Sequence, residues 1–335
     1  MYEQQIPISQ AAPLLTECGL SVPDGVDYTV GIFDEANRLL AVGSLKESVL
    51  QGIAVSPAHQ GEDLSAKVLT HLLKQGAAMG HSVLRLFTKP ERAFQFSALG
   101  FHMVAMVPPY AALLEWGRPG IEEYAARLRK LRLESGPDSV QTAVLVMNCN
   151  PFTLGHQQLI AQAAKENDLV YVLMVEEDVS QFSFIDRFRL VKQGCRTFDN
   201  VQVLPGGPYV VSALTFPSYF TKEAEHADAH AAIDLEIFCR HIAPALGATR
   251  RYAGTEPLSP VTALYNAAMK RRLPKAGIEV IEVPRFAQNG QVISASLVRD
   301  LWNSPRPIEE KLDTLKDLVP ACTLQFLRKL QSTPF

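Results

Sequence analysis

The sequence predicts an α/β protein of two domains, an α+β domain followed by a doubly wound parallel sheet. With 335 residues the chain is long enough to bury two separate cores. Its first third alternates strand-like runs with turns and one amphipathic helix, a pattern typical of a mixed sheet. After residue 140 the order becomes strand, helix, strand with long crossovers, which favours parallel strands covered by helices. We therefore expect domains at 1–118 and 140–335, joined by a helical linker at 119–139.

The composition is that of an ordinary globular protein, with 47% hydrophobic and 20% charged residues. A net charge of -3 gives no electrostatic reason to expect nucleic acid as a partner. The N-terminus lacks the features of a secretory signal, and no apolar run approaches the roughly 18 residues of a membrane span. The five cysteines show no C-x-x-C spacing, so neither a metal centre nor a disulfide framework is expected. A cytoplasmic location, reducing and away from membranes, is the prediction.

The first domain is predicted to contain a hairpin, a third strand that leads into a helix, and a fourth strand after that helix. Their ranges are 27–34, 39–45, 50–55, 67–78 and 82–87. This order resembles the GNAT-type N-acetyltransferase fold, in which amides of the loop after the central strand hold the pyrophosphate of coenzyme A. The corresponding loop here, 60–66, carries Glu62 and Asp63, which would repel that ligand. The resemblance therefore implies a degenerate acetyltransferase domain, which either binds a coenzyme-A-like arm or packs on its neighbour.

The linker contains a charged helix at 121–132. Its basic residues could be interpreted as a nucleic-acid patch, but no aromatic residues are interleaved with them. We interpret this helix as a solvated connection between the two domains.

The second domain opens with an apolar strand at 143–147, a turn, and a run of good helix formers at 157–164. Two motifs occupy the turn, Asn148-Cys149-Asn150-Pro151 and Thr153-x-Gly155-His156. The free amides and the positive dipole end of a helix start favour an anion, and Gly155 lacks the Cβ that would block its approach. The alternative is a histidine at a helix start with no ligand.

The segment from 168 to 220 leaves two roles open. A second buried strand at 168–175 precedes an F-x-x-x-x-R segment ending at Arg187, which either pairs with an acid of 176–178 or contacts a ligand. An aromatic, glycine-rich stretch at 204–220 is either a loop that lines an acceptor pocket or an edge of the core. The candidate pocket residues are Tyr209, Ser212, Thr215 and Tyr219.

The last third of the chain supplies polar groups suited to a nucleotide. A Gly254-Thr-Glu256-Pro turn follows a strand, and hydroxyl, amide and carboxylate groups of this kind suit ribose and adenine. The next helix adds Thr262, Tyr265 and Asn266.

A second helix-start motif, Ser294-x-Ser296-x-x-Arg299, comes near the end of the domain. Serines at a helix start cap free amides or meet phosphate oxygens. Arg299, about one turn later, offers a planar fork to the same phosphates.

The strand, the T-x-G-H turn and the S-x-S-x-x-R motif together resemble the nucleotidyltransferase superfamily, whose members transfer AMP from ATP. With the domain order and the motifs at 215–220, 254–257 and 262–266, the chain resembles the citrate lyase ligases over nearly its whole length. These enzymes use ATP and acetate to acetylate the thiol of the phosphoribosyl-dephospho-coenzyme A arm on the citrate lyase acyl carrier subunit, and release AMP and pyrophosphate. The resemblance thus implies ATP, Mg²⁺, acetate and that carrier subunit as partners.

The resemblance also implies roles for individual residues. His156 is expected to donate to the α-phosphate, and Arg299 with Ser294 and Ser296 to hold the β- and γ-phosphates, which makes His156 and Arg299 the expected catalytic residues. The expected ATP-binding residues are Asn148, Asn150, Thr153, Gly155, His156, Gly254, Glu256, Ser294, Ser296 and Arg299. No protein ligand for a metal is predicted.

Two other functions remain open. One is an adenylyltransferase that joins AMP to a phosphorylated cofactor precursor, such as nicotinamide or pantetheine phosphate. The other is a non-catalytic nucleotide-binding module built on both folds. Cys149 raises a separate question, because a thiol beside the site could form a thioester, whereas a buried cysteine at a strand end is the commoner case.

Overall fold

The computed structural model describes residues 1–135, 140–176, 180–210, 223–256, 260–288 and 291–332. The chain forms two compact units, Met1–Arg127 with Phe216–Ile237, and Leu128–Thr215 with Phe238–Phe335. Within the described ranges, no helix is both long enough and apolar enough to cross a membrane.

The first unit is built on a mixed sheet of seven strands in the order β1-β2-β3-β4-β5-β7-β6, whose residues are given below. Its elements are, along the chain, β1 (Tyr2–Gln5), α1 (Ile8–Glu17), β2 (Tyr28–Phe33), β3 (Leu39–Lys46), β4 (Val49–Val55), α2 (Leu64–Ala78), β5 (Val83–Thr88), α3 (Pro90–Ala98), β6 (His102–Val107), β7 (Ala111–Gly117) and α4 (Ile121–Ser135). Only β4 and β5 pair in parallel; the other neighbours are antiparallel. The predicted hairpin, strands and helix of this region are all present, with slightly different ends.

Helix α2 packs closely on the centre of this sheet because Gly43 of β3 has no side chain. A Cβ at Gly43 would lie 2.5 Å from Cγ1 of Val68 in α2. Val68, Leu69 and Leu72 are buried along one face of α2 and form a core with β2 to β5. Ahead of α2, Glu62 contacts Nδ1 of His59 at 3.1 Å and Asp63 adopts a left-handed conformation (φ 55°).

The second unit is built on a sheet of five parallel strands. The elements that follow along the chain are β8 (Thr142–Met147), α5 (Leu154–Glu166), β9 (Leu169–Met174), α6 (Phe184–Gly194), β10 (Val201–Pro205), α7 (Glu223–Ile237), a π-helical turn (Phe238–Ile242), α8 (Ala243–Leu246), β11 (Arg250–Gly254), α9 (Pro260–Arg272), a 3₁₀ turn (Leu273–Ala276), β12 (Glu279–Val283), β13 (Ala287–Gln288), β14 (Gln291–Val292), α10 (Ala295–Asn303), α11 (Ile308–Leu315) and α12 (Ala321–Ser332). Of these, α7 belongs to the first unit. The sheet order is β10-β9-β8-β11-β12, and each neighbouring pair is parallel. The α/β class and the doubly wound sheet are confirmed.

Helix α7 differs from its predicted place. The predicted 140–335 domain includes the residues of α7, but this helix packs against β6 and β7 of the first unit. Residues 229–235 of α7 are buried on every side, so their periodicity could not identify the sheet that covers them. The helical path also changes to a π-helical turn after Ile237, and α8 ends at Leu246, where Gly247 caps it at φ 64°.

The strand order of the second sheet reverses between β8 and β11. The chain moves from β8 outward to β9 and β10, then returns to the other side of β8 for β11 and β12. Loops that leave the carboxyl ends of β8 and β11 therefore diverge, and a doubly wound sheet binds its ligand in the crevice opened there. This position fixes where a functional site should lie.

Candidate active site

The T-x-G-H motif forms the first turn of α5, directly after β8. The hydroxyl of Thr153 accepts a hydrogen bond from the amide of His156 (3.3 Å), and the amide of Thr153 donates to Nδ1 of His156 (3.1 Å). These reciprocal bonds form a capping box, which satisfies two amides of the helix start. The imidazole also stacks on Phe152, with ring centroids 6.1 Å apart. The ring is therefore fixed by its own helix start.

The hydrogen bonding of His156 determines its tautomer. Because Nδ1 accepts from an amide, the proton of the neutral ring is on Nε2. Burial, followed by the positive charge of Arg285, lowers the pKa of His156 to about 4. At neutral pH the half-buried ring is therefore uncharged and presents a single N–H donor.

Titration of His156 tests this description. We expect its pKa near 4, against the ordinary value of 6.5. Since the folded state disfavours the imidazolium, the stability linked to this residue is fully present above pH 6.5 and declines as the pH falls toward 4. Side-chain nitrogen NMR, with His156→Gln to assign the signals, would measure the pKa directly. An imidazolium signal from His156 at pH 6 would contradict the expected environment.

The S-x-S-x-x-R motif forms the start of α10. Ser294 caps the helix by accepting from the amide of Leu297 (3.1 Å), and the hydroxyl of Ser296 accepts from Nη2 of Arg299 (3.0 Å). Nη1 of Arg299 donates to the backbone carbonyl of Asn150 at 2.6 Å. Arg299 thus connects its own helix start to the loop after β8.

The two helix starts are in direct contact. A Cβ at Gly155 would lie 2.9 Å from the carbonyl oxygen of Ile293, so the bare backbone of this glycine is needed for the two segments to meet. From the sequence we expected a ligand beside Gly155, whereas the nearest neighbour is the protein backbone at Ile293. This packing brings together segments that the chain separates by about 140 residues.

A cavity of about 570 Å³ opens beside this contact, at the carboxyl ends of β8 and β11. All ten predicted ATP-binding residues line it: Asn148, Asn150, Thr153, Gly155, His156, Gly254, Glu256, Ser294, Ser296 and Arg299. Cys149, Thr262, Tyr265 and Asn266 line it as well. Its volume is within the range of small-molecule sites.

The cavity is rich in positive charge. Its lining contains Arg251, Arg285 and Arg299, and Glu256 is the single carboxylate among the described lining residues. Arg285 donates to this carboxylate and, through Nε, to the carbonyl of Thr255 at 2.8 Å. Glu256, expected to contact ribose, is thus part of a mostly buried ion pair. Sequence reasoning missed Arg285 and Arg251; the position of Arg285 just after β12, at the carboxyl edge, was the available signal.

Asn266 has a structural role that its motif did not indicate. Its Nδ2 donates to the carbonyl of Gly254 (2.9 Å) and to the carboxylate of Glu282 (3.1 Å), and its side chain is buried. These bonds tie α9 to the ends of β11 and β12. Thr262 and Tyr265, earlier on the same helix, also line the cavity.

Arg187 is fully buried in the structure. Nη1 donates to the carbonyls of Asn148 (2.7 Å) and Val175 (3.0 Å), and Nε donates to the carbonyl of Phe182 (3.1 Å). It also donates to the side-chain oxygen of Asn148. Because Arg187 is not among the described lining residues of the cavity, these contacts favour a role in holding the loop after β8 over contact with a ligand.

Of the four candidate acceptor residues, the structure describes Tyr209. Tyr209 is almost completely buried and is not among the described lining residues of this cavity, so its assignment to an acceptor pocket stays a prediction. An aromatic ring in an irregular stretch can fill a core as readily as it lines a pocket. Ser212, Thr215 and Tyr219 lie outside the described residues.

Cys149 is buried at the end of β8, at a backbone φ of 52°. Burial, with the nearby Cys195 thiol, raises its pKa well above the ordinary value of a thiol. The thiolate that a nucleophile requires is therefore disfavoured at this position.

Comparison with known proteins identifies the chain's relatives. A family model described as the citrate lyase ligase C-terminal domain matches residues 142–327. A citrate (pro-3S)-lyase ligase of Klebsiella pneumoniae is 41% identical over 304 residues, which cover 89% of this chain and 86% of that protein. Its counterpart in Haemophilus influenzae is 33% identical over 332 residues, covering 97% and 96%. The Escherichia coli K12 protein of the same name is 35% identical over 332 residues, covering 96% and 91%.

Solved structures also resemble part of the chain. A glucosamine-6-phosphate N-acetyltransferase from Arabidopsis thaliana shares 17% identity at a TM-score of 0.26, covering 30% of this chain and 89% of that one. An aminoglycoside 6'-N-acetyltransferase complexed with coenzyme A shares 12% identity at a TM-score of 0.30, covering 36% and 100%. The family match covers more than half of the chain, and the sequence relatives cover nearly all of it. The chain belongs to the citrate lyase ligase family.

Proposed function

We propose that this ligase activates acetate with ATP and transfers the acetyl group to the thiol of the citrate lyase carrier arm. Family membership supports a ligase role in citrate lyase activation. One observation supports the finer proposal. Side chains from two helix starts, both at the switch point of the sheet, line the same cavity; they are His156, Ser294, Ser296 and Arg299. This is a donor set for a polyphosphate, since amides, hydroxyls and a guanidinium all donate to phosphate oxygens.

In the first step, a carboxylate oxygen of acetate attacks the α-phosphorus of ATP. The bond from this phosphorus to the oxygen that bridges to the β-phosphorus breaks, and pyrophosphate leaves. The neutral His156 donates Nε2–H to an α-phosphate oxygen as charge builds there, while Arg299 and the two serines hold the leaving phosphates. Most of the rate comes from positioning and charge stabilisation by groups that are already in place.

In the second step, the sulfur of the carrier thiol attacks the carbonyl carbon of acetyl-adenylate. The bond from this carbon to the phosphate oxygen breaks, AMP leaves, and the thiol proton passes to solvent. The acetyl group is then held on the carrier as a thioester. No covalent bond to the protein is formed in either step.

Mg²⁺ is proposed as the companion of ATP. Among the residues that the structure describes, no group of three His, Cys, Asp or Glu side chains could hold a metal ion, and Glu256 is engaged by Arg285. Mg²⁺ in nucleotide sites is commonly held by substrate phosphates and water with few protein ligands, so the lining does not conflict with it. When bound, it would neutralise phosphate charge.

The direct test is an assay of AMP and pyrophosphate formation with ATP, labelled acetate and citrate lyase in its thiol form. We expect AMP formation to depend on acetate. We also expect labelled acetyl groups on the carrier, and hydroxylamine should release them. A stable dinucleotide from ATP and nicotinamide or pantetheine phosphate, without acetate turnover, would show an adenylyltransferase instead. Absence of pyrophosphate with every one of these acceptors would indicate a binding module.

Replacing Cys149 separates direct transfer from transfer through the protein. We expect Cys149→Ala to retain acetylation of the carrier at a rate close to that of the original protein, because burial keeps this thiol protonated. Hydroxylamine-labile label on the protein itself, measured after removal of the carrier, should be absent in both. Loss of transfer with an unchanged melting temperature would instead show that Cys149 carries the acetyl group.

A further inference from the structure

Arg251 of β11 is a buried cation that the mechanism above does not use. Its side chain is 3% exposed, yet it lies on the wall of the cavity. Its Nη1 is buried and has no hydrogen-bond partner among the described residues. The contact that the structure gives its guanidinium is with the ring of Phe238, at 4.3 Å from Cζ to the centroid. A cation–π contact compensates only part of the cost of burying a charge.

The neighbouring carboxylates are already bonded elsewhere. Glu256 of the cavity accepts from Arg285, and Glu282 of β12 accepts from Asn266 and Lys270. Neither of them contacts Arg251. The guanidinium therefore offers donors to whatever enters the cavity, because a planar fork of this kind matches a carboxylate.

The position of Arg251 sets it apart from the phosphate-binding groups. It pairs in register with Val144 of β8, and it lies three residues before the end of β11, about 10 Å along the strand from its carboxyl end. Ala253 and Val146, each two residues further along, lie on the same face and line the cavity with Met269 of α9. Arg251 is thus the charged end of an apolar part of the cavity, whereas His156 and Arg299 lie at the rim of the sheet.

We infer that Arg251 binds the carboxylate of the small acid substrate, with Val146, Ala253 and Met269 around its alkyl group. This inference rests on the proposed function and names the substrate contact within it. A monocarboxylate matches one guanidinium in charge and its methyl group suits apolar walls. A phosphate would leave oxygens without donors among these apolar side chains.

The test compares Arg251→Met and Arg251→Lys with a matched control, Arg250→Met. Arg250 is the adjacent residue of β11, pairs with Glu279 at 2.8 Å, and is outside the described lining of the cavity. We expect Arg251→Met to raise the KM for acetate in acetate-dependent ATP–pyrophosphate exchange by about 10- to 100-fold, as for the loss of a charged hydrogen bond. The dissociation constant of a non-hydrolysable ATP analogue should not change, and Arg251→Lys should recover part of the acetate affinity.

Stability gives a second readout that a purely structural arginine would not produce. Arg251→Met removes a buried charge that has no acidic partner, so we expect a melting temperature equal to or above that of the original protein. Line broadening of ¹³C-labelled acetate should be seen with the original protein and with Arg250→Met, and should be lost with Arg251→Met. If Arg251→Met does not fold, Arg251→Lys provides the same comparison of acetate and nucleotide.

The outcomes separate this inference from the function on which it rests. An unchanged acetate KM in Arg251→Met, or an equal loss of affinity for acetate and for the ATP analogue, would overturn the assignment while leaving the ligase activity intact. Absence of acetate-dependent exchange in the original protein would overturn the proposed function. In that case acetate line broadening that depends on Arg251 would still support a carboxylate site, and its absence would refute one.

Discussion

Replacement of His156 by alanine is expected to lower kcat for acetate-dependent AMP formation by ~10²–10³, the usual effect of removing one preorganised donor to developing charge. The fold should persist, because the side chain lies half-buried at a helix start and is not part of the core. The same variant loses one half of the capping box, which costs about 1 kcal/mol of unfolding free energy. Steady-state kinetics and thermal unfolding on the same samples would measure both effects.

Two further variants test the role of this imidazole as a donor. His156→Gln places an amide N–H close to the position of Nε2 and should recover part of the lost rate. His102→Ala removes an exposed histidine of β6 and should leave kcat unchanged. Near-normal turnover of His156→Ala would refute the assignment of this residue, and equal rates for His156→Gln and His156→Ala would refute hydrogen-bond donation as its mechanism.

Replacement of Arg299 by methionine is expected to reduce kcat/KM for ATP by ~10³, within the range reported for arginines that stabilise transferred phosphates. Two effects contribute, since the variant loses the donors to the phosphates and also the bond from Nη1 to the carbonyl of Asn150. The affinity for a non-hydrolysable ATP analogue should fall as well, whereas the KM for acetate should change little. Calorimetry and exchange kinetics would separate these quantities.

Arg299→Lys separates the charge of Arg299 from the geometry of its guanidinium, because lysine keeps the charge but cannot reproduce the planar fork. We expect Arg299→Lys to recover only a small part of the activity that Arg299→Met loses. Arg306→Met, at an exposed position outside the described lining of the cavity, is the matched control. If Arg299→Met were to bind the ATP analogue as tightly as the original protein, Arg299 would not be a phosphate ligand.

Local sequence signals located both helix starts correctly. Thr153 with His156, and Ser294 with Leu297, interact within one helical turn, so their spacing alone encodes the geometry. The doubly wound sheet was equally predictable, since β8 and β9 are apolar and separated by a helix. These features depend on short stretches of chain.

Other features depend on which strands become neighbours. Arg285 pairs with Glu256 because β11 and β12 are adjacent, and Arg251 is buried because Phe238 lies over its face of the sheet. No spacing within the sequence encodes those contacts. The role of Gly155 was similarly hidden, since its neighbour is the carbonyl of a residue in the last quarter of the chain.

The contact between Arg299 and Asn150 has a thermodynamic consequence. It joins residues 149 positions apart in the sequence, so the two halves of the candidate site come together only when the intervening strands have assembled. Binding free energy is therefore added to the stability of that entire unit, by RT ln(1 + [L]/Kd) for a ligand that binds only the native state. When the ligand saturates the enzyme, the segment from β8 through α10 should consequently resist heat and proteases as one cooperative unit.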